Sequence, residues 1–584
     1  ALRLLDGGRG GAERHRSLRA VLGWSDELLD DEERGLFRRL AGFVGAFDLG
    51  AAVAVAGLLG PVVVDVLGRL TDKSLVVRVG ERWRLLATVR AFAAERLADA
   101  GERADVSRRR LVWAAGTAED LIGRRRDDPG WAEEFDIVAD DLRAALADAP
   151  AGREPVAHRL AWAMAGLAYA RRFLSEAVAH ATDAAGRAAN AAAEAADLGL
   201  AASATFAVGP AAGAFELLCA ADGDAAAFAR AVVIANRFPS GFAVEVPHER
   251  LVALLDAAET GAADPVAAAH LAAARAWNAT GEKYRPDPAL AALAVEAARR
   301  TGSPVLLSGA LDALGAVAAQ EGRLGEARRI AGQRVALLAQ LDRDDPAAAA
   351  EILDVRHSAW LTALAVGDLP AALAAAEAIR ADDLLGVHPY RPLAKLVPPL
   401  VLLGRFAEAL RHAEPMWAAW RRSEAPVAAW LAPAASSIAM ACGLRGDDDG
   451  FQRWQGRAEQ AIGSANPKLA AYHSGFAVFT AARVAVHRGP SAEMVMTDPQ
   501  GPHATYAVAA AAELAVVAGW SDAASRLAAA EWAGAENRWA AACLDRARGR
   551  LSGDRDAFAR AAAGFARVDA GFERDRTLDL LNKA

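Results

Sequence analysis

The sequence predicts a mainly α protein in which a winged-helix domain with one β-hairpin is followed by an α-solenoid of helix pairs. Three observations predict it. Between Val62 and Leu97 a helical apolar spacing gives way to two short β runs and then resumes. Alanine dominates the 54% of residues that are hydrophobic, and alanine is the strongest helix former. From His158 onward a Gly followed five residues later by Ala recurs between apolar helical stretches, the pattern of stacked antiparallel helix pairs.

At 584 residues the chain exceeds one compact core and calls for several domains or an array. Alanine-rich faces are small, so the 14 Trp and 18 Phe carry much of the cohesion, each buried one being worth about 3–5 kcal/mol. The net charge of −8 excludes a protein that coats nucleic acid over its whole surface. Cys219, Cys442 and Cys543 form no CxxC pair, which fits a reducing compartment and offers no zinc spacing. No apolar run reads as a membrane span, so a cytoplasmic protein without a membrane partner is expected.

Residues 1–13 contain GGRGGAE and no initiator Met, and read as a linker from a missing upstream domain. The winged-helix domain is placed at 14–105. Leu18, Val21, Leu22 and Leu28 share one side of its first helix, Asp30-Asp31 cap the second, and Leu36, Phe37, Leu40 and Phe43 point inward. Val63, Val66, Leu67 and Leu70 then recur at helical spacing. Leu75 to Val79 and Arg82 to Leu86 form the hairpin around Gly80-Glu81. The next helix carries Val89, Phe92, Ala93 and Leu97 and stops at Ala100-Gly101. Connecting helices occupy 106–154, where the runs Arg108 to Arg110 and Arg124 to Arg126 read as solvated faces and Pro150 to Pro155 as a boundary.

The repeat domain is placed at 155–584. Its turns fall at Gly322, Gly367, Gly404 and Gly519, with Ala327, Ala372, Ala409 and Ala524 where paired helices touch. The copy ALDALGAVAAQEGRLGEARRIAGQRVALL resembles the tetratricopeptide repeat, with Gly315, Gly322 and Ala327 at its small-residue positions. Counting back from each turn puts Asp312, Gln320, Asp354, His357, Arg391, Tyr506 and Glu513 on one concave groove, a place for a protein or small-molecule effector.

Catalytic patterns are missing. The sequence has no GxxxxGK[ST], HExxH or GxSxG, so it is not expected to be an enzyme and needs no cofactor of its own. Asp30-Asp31, Asp344-Asp345, Asp382-Asp383 and Asp447 to Asp449 sit where helix caps and turns belong rather than metal ligands.

RHRSLRAVLGWSDELLDDEERGLFRRLAGFVGAFDL, VLGRLTDKSLV, RWRLLATVRAFAAERLADAGE and WAEEFDIVADDLRAAL occur in order over residues 1–150. Together they resemble the segment after the nucleotide-binding domain of STAND-class bacterial transcriptional regulators, SARP-like and large LuxR-like. The resemblance implies an upstream P-loop ATPase that holds ATP or ADP, DNA contact through a further missing domain, and a tetratricopeptide-like sensor array. It also implies nucleotide sensing by a Met-His-Asp phrase after the wing, at positions that here are Leu85, Leu86 and Ala87. Arg14, His15, Arg84, Leu86, Thr88 and Arg90 are the residues it places near a phosphate. The alternative reading is a DNA-binding winged-helix protein with a helical oligomerisation tail, although Glu81, Asp65 and Asp72 give its reading surface an acidic cast.

Overall fold

A computed structural model describes residues 19–584 apart from 210, 262–263, 387, 427, 464–466, 490–500 and 502. The chain divides into two compact units, 1–201 and 202–584. Both are built almost wholly of helices, with one two-stranded antiparallel sheet among the described residues.

The first unit opens on a helical stretch, 19–27, followed by α1 (Asp31–Leu40), α2 (Leu49–Ala56) and α3 (Gly60–Asp72). Asp30 starts α1 through a reciprocal capping box: its carboxylate accepts from the Glu33 N–H at 2.8 Å, and its own N–H donates to Glu33 at 2.9 Å. Between α2 and α3 the chain bends by 107° over residues 57–59. That angle and that length define a helix-turn-helix. Gly57 permits the turn, since it is left-handed at φ 65° and a Cβ there would sit 3.2 Å from the Arg109 side chain. Helix α2 carries no amphipathic period in the sequence.

Strands β1 (Val77–Val79) and β2 (Arg82–Arg84) form the wing, with Val79 opposite Arg82 across Gly80-Glu81. Phe47 adds a bridge to Trp83, exchanging two backbone hydrogen bonds of 2.8 Å. Helix α4 (Ala87–Asp99) closes the domain and Gly101 follows at φ 71°. Leu36, Phe37, Phe43, Val63, Leu67, Leu70, Val76, Leu85 and Phe92 fill one core. The first helix contributes less than its spacing promised: Leu22 is buried, but Val21 and Leu28 face solvent, and Leu18 lies outside the described residues.

Helices α5 (Arg103–Arg124), α6 (Trp131–Ala147), α7 (Pro155–Ala170) and α8 (Leu174–Arg187) follow in the same unit. Leu111 and Leu121 of α5, Phe135 and Leu142 of α6, and Leu160 and Met164 of α7 share a core. The boundary expected at Pro150 to Pro155 therefore falls inside a packed unit. Arg108 and Arg126 are exposed, as a solvated face requires, but Arg109 and Arg110 of the first run are not. Arg110 is buried and donates to the carbonyls of Gly42, at 2.6 Å, and Ala144, at 3.1 Å, while Arg109 donates to Val55 at 2.9 Å. They tie α5 to the winged domain.

The second unit is a succession of antiparallel helix pairs, among them Pro304–Gln320 with Leu324–Leu337 and Ala349–Ala365 with Leu369–Ala381. Its turns repeat one geometry. Gly322 lies at φ 76°, its N–H donates to Ala319 and the next N–H, of Arg323, donates to Ala318 at 2.9 Å. Gly367, Gly404 and Gly519 repeat the pair of bonds, the Schellman ending of a helix. Ala327, Ala372 and Ala409 are buried against the partner helix as expected, whereas in the last copy Ala523 is buried and Ala524 is exposed. The acidic pairs act as caps and turn formers: Asp345 accepts from the Ala347 N–H, Asp382 from Leu384 and Asp447 from Gly450.

One helix among the described residues, Ala191–Val208, is long and apolar enough to cross a membrane, a feature the sequence reading had not counted. It carries a buried Asp197 that meets His158 at 2.7 Å.

Candidate functional site

The residues expected near a phosphate divide in two. Arg14 and His15 lie outside the described residues. Arg84, Leu86, Thr88 and Arg90 gather where β2 runs into α4: Leu86 is the N-cap, without a side-chain cap, Arg84 and Leu86 are exposed, and Thr88 and Arg90 are half-buried. The first N–H groups of α4 thus keep their partial positive charge.

The helix that a winged helix-turn-helix uses to read DNA is α3. Its outward positions are Pro61, Val64, Asp65, Gly68 and Asp72. Its one cation, Arg69, is surrounded by carboxylates: Asp65, at 2.5 Å, Glu33, at 3.0 Å, Asp30, at 3.6 Å, and Glu32, at 3.7 Å. Lys73, just beyond, meets Glu33 at 2.5 Å. The wing is different in sign, with Arg78 and Arg84 exposed and Arg82 3.8 Å from Asp48.

The seven side chains expected along one concave groove do not share one surface. Asp312 and Asp354 belong to a buried ion cluster that joins four helices. Arg237 donates to Asp312 at 2.8 Å, Asp354 at 2.7 Å and Glu351 at 2.5 Å, and Arg334 to Asp354 at 2.6 Å and Glu351 at 3.1 Å. Burial pushes the Asp312 carboxyl up. Burial acts the same way on Asp354, but Arg237 and Arg334 outweigh it and hold that carboxyl well below the usual range.

Glu513 sits in a second cluster of the same kind, fully buried between Arg483, at 2.7 Å, and Arg546, also at 2.7 Å. Glu573 completes it, 2.6 Å from Arg483 and 2.7 Å from Arg546. Tyr506 is buried beside Phe479 and Trp539, its hydroxyl donating to the Leu364 carbonyl at 2.7 Å. Gln320 is exposed and donates to the Tyr284 carbonyl. Counting along single helices missed these partners because the arginines come from elsewhere; Arg237 and Asp354 are 117 residues apart.

His357 and Arg391 do meet a common feature. His357 stacks on Trp360 with centroids 5.8 Å apart, and Trp360 carries the ammonium of Lys395 4.3 Å from its ring centroid. Lys395 also faces Trp430 at 5.5 Å, as does Arg391 at 5.6 Å, and Tyr390 stacks parallel to Trp430. Burial and the neighbouring Arg391 push the Lys395 ammonium down to about 7. Lys395, Trp360 and Trp430 were not singled out in the sequence. The available signal was a pair of cations four residues apart, Arg391 and Lys395, on the otherwise apolar helix RPLAKLVPPLVL.

A helix-turn-helix, a wing and a following array of helix pairs define a winged helix-turn-helix protein with helical repeats. Residues 29–98 match the family model described as a winged helix-turn-helix domain. Over 153 residues the chain is 44% identical to a Mycobacterium tuberculosis protein provisionally named an HTH-type transcriptional regulator, a match covering 25% of this chain and 17% of that one. It is 39% identical over 109 residues to an uncharacterized protein of the same organism, covering 17% of this chain and 28% of the other. The chain thus spans only a minor part of the length of the curated relatives it matches. Among solved structures it is similar to a signal transduction ATPase with numerous domains that carries a tetratricopeptide repeat sensor, from Pyrococcus horikoshii. The TM-score is 0.36 at 14% identity, covering 75% of this chain and 64% of that one.

Proposed function

We propose that this chain is the regulatory part of a transcriptional regulator, in which the helical array receives a protein or small-molecule signal and the winged domain controls an ATPase domain. On this reading it is not itself an enzyme, ATP or ADP belongs to the ATPase domain, and DNA is bound by another domain. The charge on α3 carries the reading. A helix that reads a groove must neutralise phosphates with Lys or Arg, and here Arg69 is committed to four carboxylates while Asp65 and Asp72 face outward. The same domain exposes Trp24, Leu28, Leu59 and Val64, a composition suited to a protein partner. The uncapped start of α4, with Arg84 and Arg90 beside it, would turn toward the nucleotide-bearing partner.

A second reading, a DNA-binding winged helix with an oligomerisation tail, draws on Arg78 and Arg84 of the wing. Titration of labelled duplex DNA with the chain at 50 and 200 mM salt separates the two. The regulatory reading expects no binding that weakens steeply with salt. A fall in affinity of about 10³-fold or more between those salts, the mark of several phosphate contacts, would replace it with the second.

A further inference from the structure

Arg391 and Lys395 are two cations that neither buried ion cluster balances. They lie four residues apart on one face of the helix Arg391–Leu402, close enough for one anion to touch both. Lys395 is only 5% exposed, and among the described residues its ammonium has neither a hydrogen-bond partner nor a carboxylate beside it. The charged group facing it is Arg391, which adds repulsion. His388 contributes no charge at neutral pH, because burial and Arg391 push its pKa to about 3.

Aromatic rings take the place of counter-ions. The Lys395 Nζ lies 4.3 Å from the Trp360 centroid and 5.5 Å from that of Trp430, and the Arg391 guanidinium lies 5.6 Å from Trp430. Such contacts return only part of what a buried ion loses on leaving water. The missing quantity is negative charge. The arrangement is also rigid: the Trp360 indole N–H donates to the Lys395 carbonyl at 2.9 Å, and the rings of Tyr390 and Trp430 are parallel within 4°.

We propose that Lys395 and Arg391 are the anion-holding end of a ligand site walled by Trp360, Tyr390 and Trp430, and that the ligand is an aromatic anion, a carboxylate or phosphate monoester carried on an aromatic ring. The assignment rests on the array being the signal-receiving part, and it names the chemistry of that signal. Two donors from one helix face match two oxygens of such a group, and the aromatic surroundings suit an aromatic ligand body.

The test is calorimetry on the full chain with benzoate, phenyl phosphate, the neutral benzamide and inorganic phosphate. Benzoate or phenyl phosphate is expected to bind at least tenfold more tightly than both benzamide and inorganic phosphate, and the better of the two identifies the anionic group. Lys395→Met and Arg391→Gln should each lose at least tenfold, with a melting temperature equal to or above that of the parent chain. Should Lys395→Met fail to fold, Arg391→Gln alone decides. Equal binding of benzamide, unaltered affinity in the folded variants, or no binding of either aromatic anion overturns the assignment. Each of these leaves the DNA titration, on which the regulatory reading stands, unaffected.

Discussion

Arg237 and Asp354 meet at 2.7 Å in the interior of the array although 117 residues separate them in sequence. Arg483 and Glu573 do the same at 2.6 Å farther along. In both places a guanidinium is surrounded by carboxylates from other helices, so removing one member strands the rest without water.

Glu513→Ala leaves Arg483 and Arg546 short of a buried partner, and should cost about 3–5 kcal/mol in urea unfolding. Arg299→Ala, which breaks an exposed pair with Glu296, should stay within about 0.5 kcal/mol. Equal costs would mean that the cluster is hydrated.

In the winged domain Phe92 is buried in the core and Glu81 is exposed at the tip of the wing. Phe92→Ala should cost about 3–5 kcal/mol and Glu81→Ala no more than about 0.5 kcal/mol. Thermal melts of the two variants compare them directly.

Glu102 should make the same domain acid-sensitive. Hydrogen bonds from Arg38 and Arg39 hold its carboxyl down to about 2. A carboxylate with a folded pKa below its unfolded one stabilises fully above the unfolded value and loses that contribution as pH falls toward the folded value. Stability should therefore decline between about pH 4.5 and about pH 2, by on the order of 2 kcal/mol from this group once solvent screening of the partly exposed pair is allowed for. Glu102→Gln should be less stable at pH 6 and show a shallower decline, read as melting temperature against pH.

Lys395 predicts a slope of the same sign at alkaline pH. Its folded pKa of about 7 lies below the ordinary lysine value, because burial and Arg391 disfavour the ammonium. The unfolded chain then binds more protons between about pH 7 and pH 10, so stability rises with pH across that window, by roughly 1 kcal/mol per unit. Without ligand, the stability difference between the parent chain and Lys395→Met should change with pH by that amount. A constant difference would place Lys395 in water.

Much of this was legible in the sequence wherever one element sufficed to specify its own form. The Asp30 cap, the hairpin around Gly80-Glu81 and the Gly322 turn each rest on residues within a few positions of one another. Helix α2 escaped notice because LGAAVAVA is apolar all round and short, which gives no amphipathic period to detect. The groove failed for a different reason. A carboxylate on a predicted helix looks solvated unless its arginine is known, and the arginines that bury Asp312, Asp354 and Glu513 stand on other helices. Lys395 likewise shows its isolation only when Trp360 and Trp430 are brought beside it.

The two ion clusters also act as detents. Faces made of alanine are nearly featureless, and one such helix could slip past another by a turn, about 5.4 Å, with little change in apolar contact. A slip of that size would pull Arg237 away from carboxylates it now holds within 3 Å and leave charge stranded in an apolar interior, at a cost of several kcal/mol. The intermediate settings are closed to the stack. Each four-helix cluster either keeps its notch or opens completely, so sliding within the array would go in clicks rather than by gradual flexing.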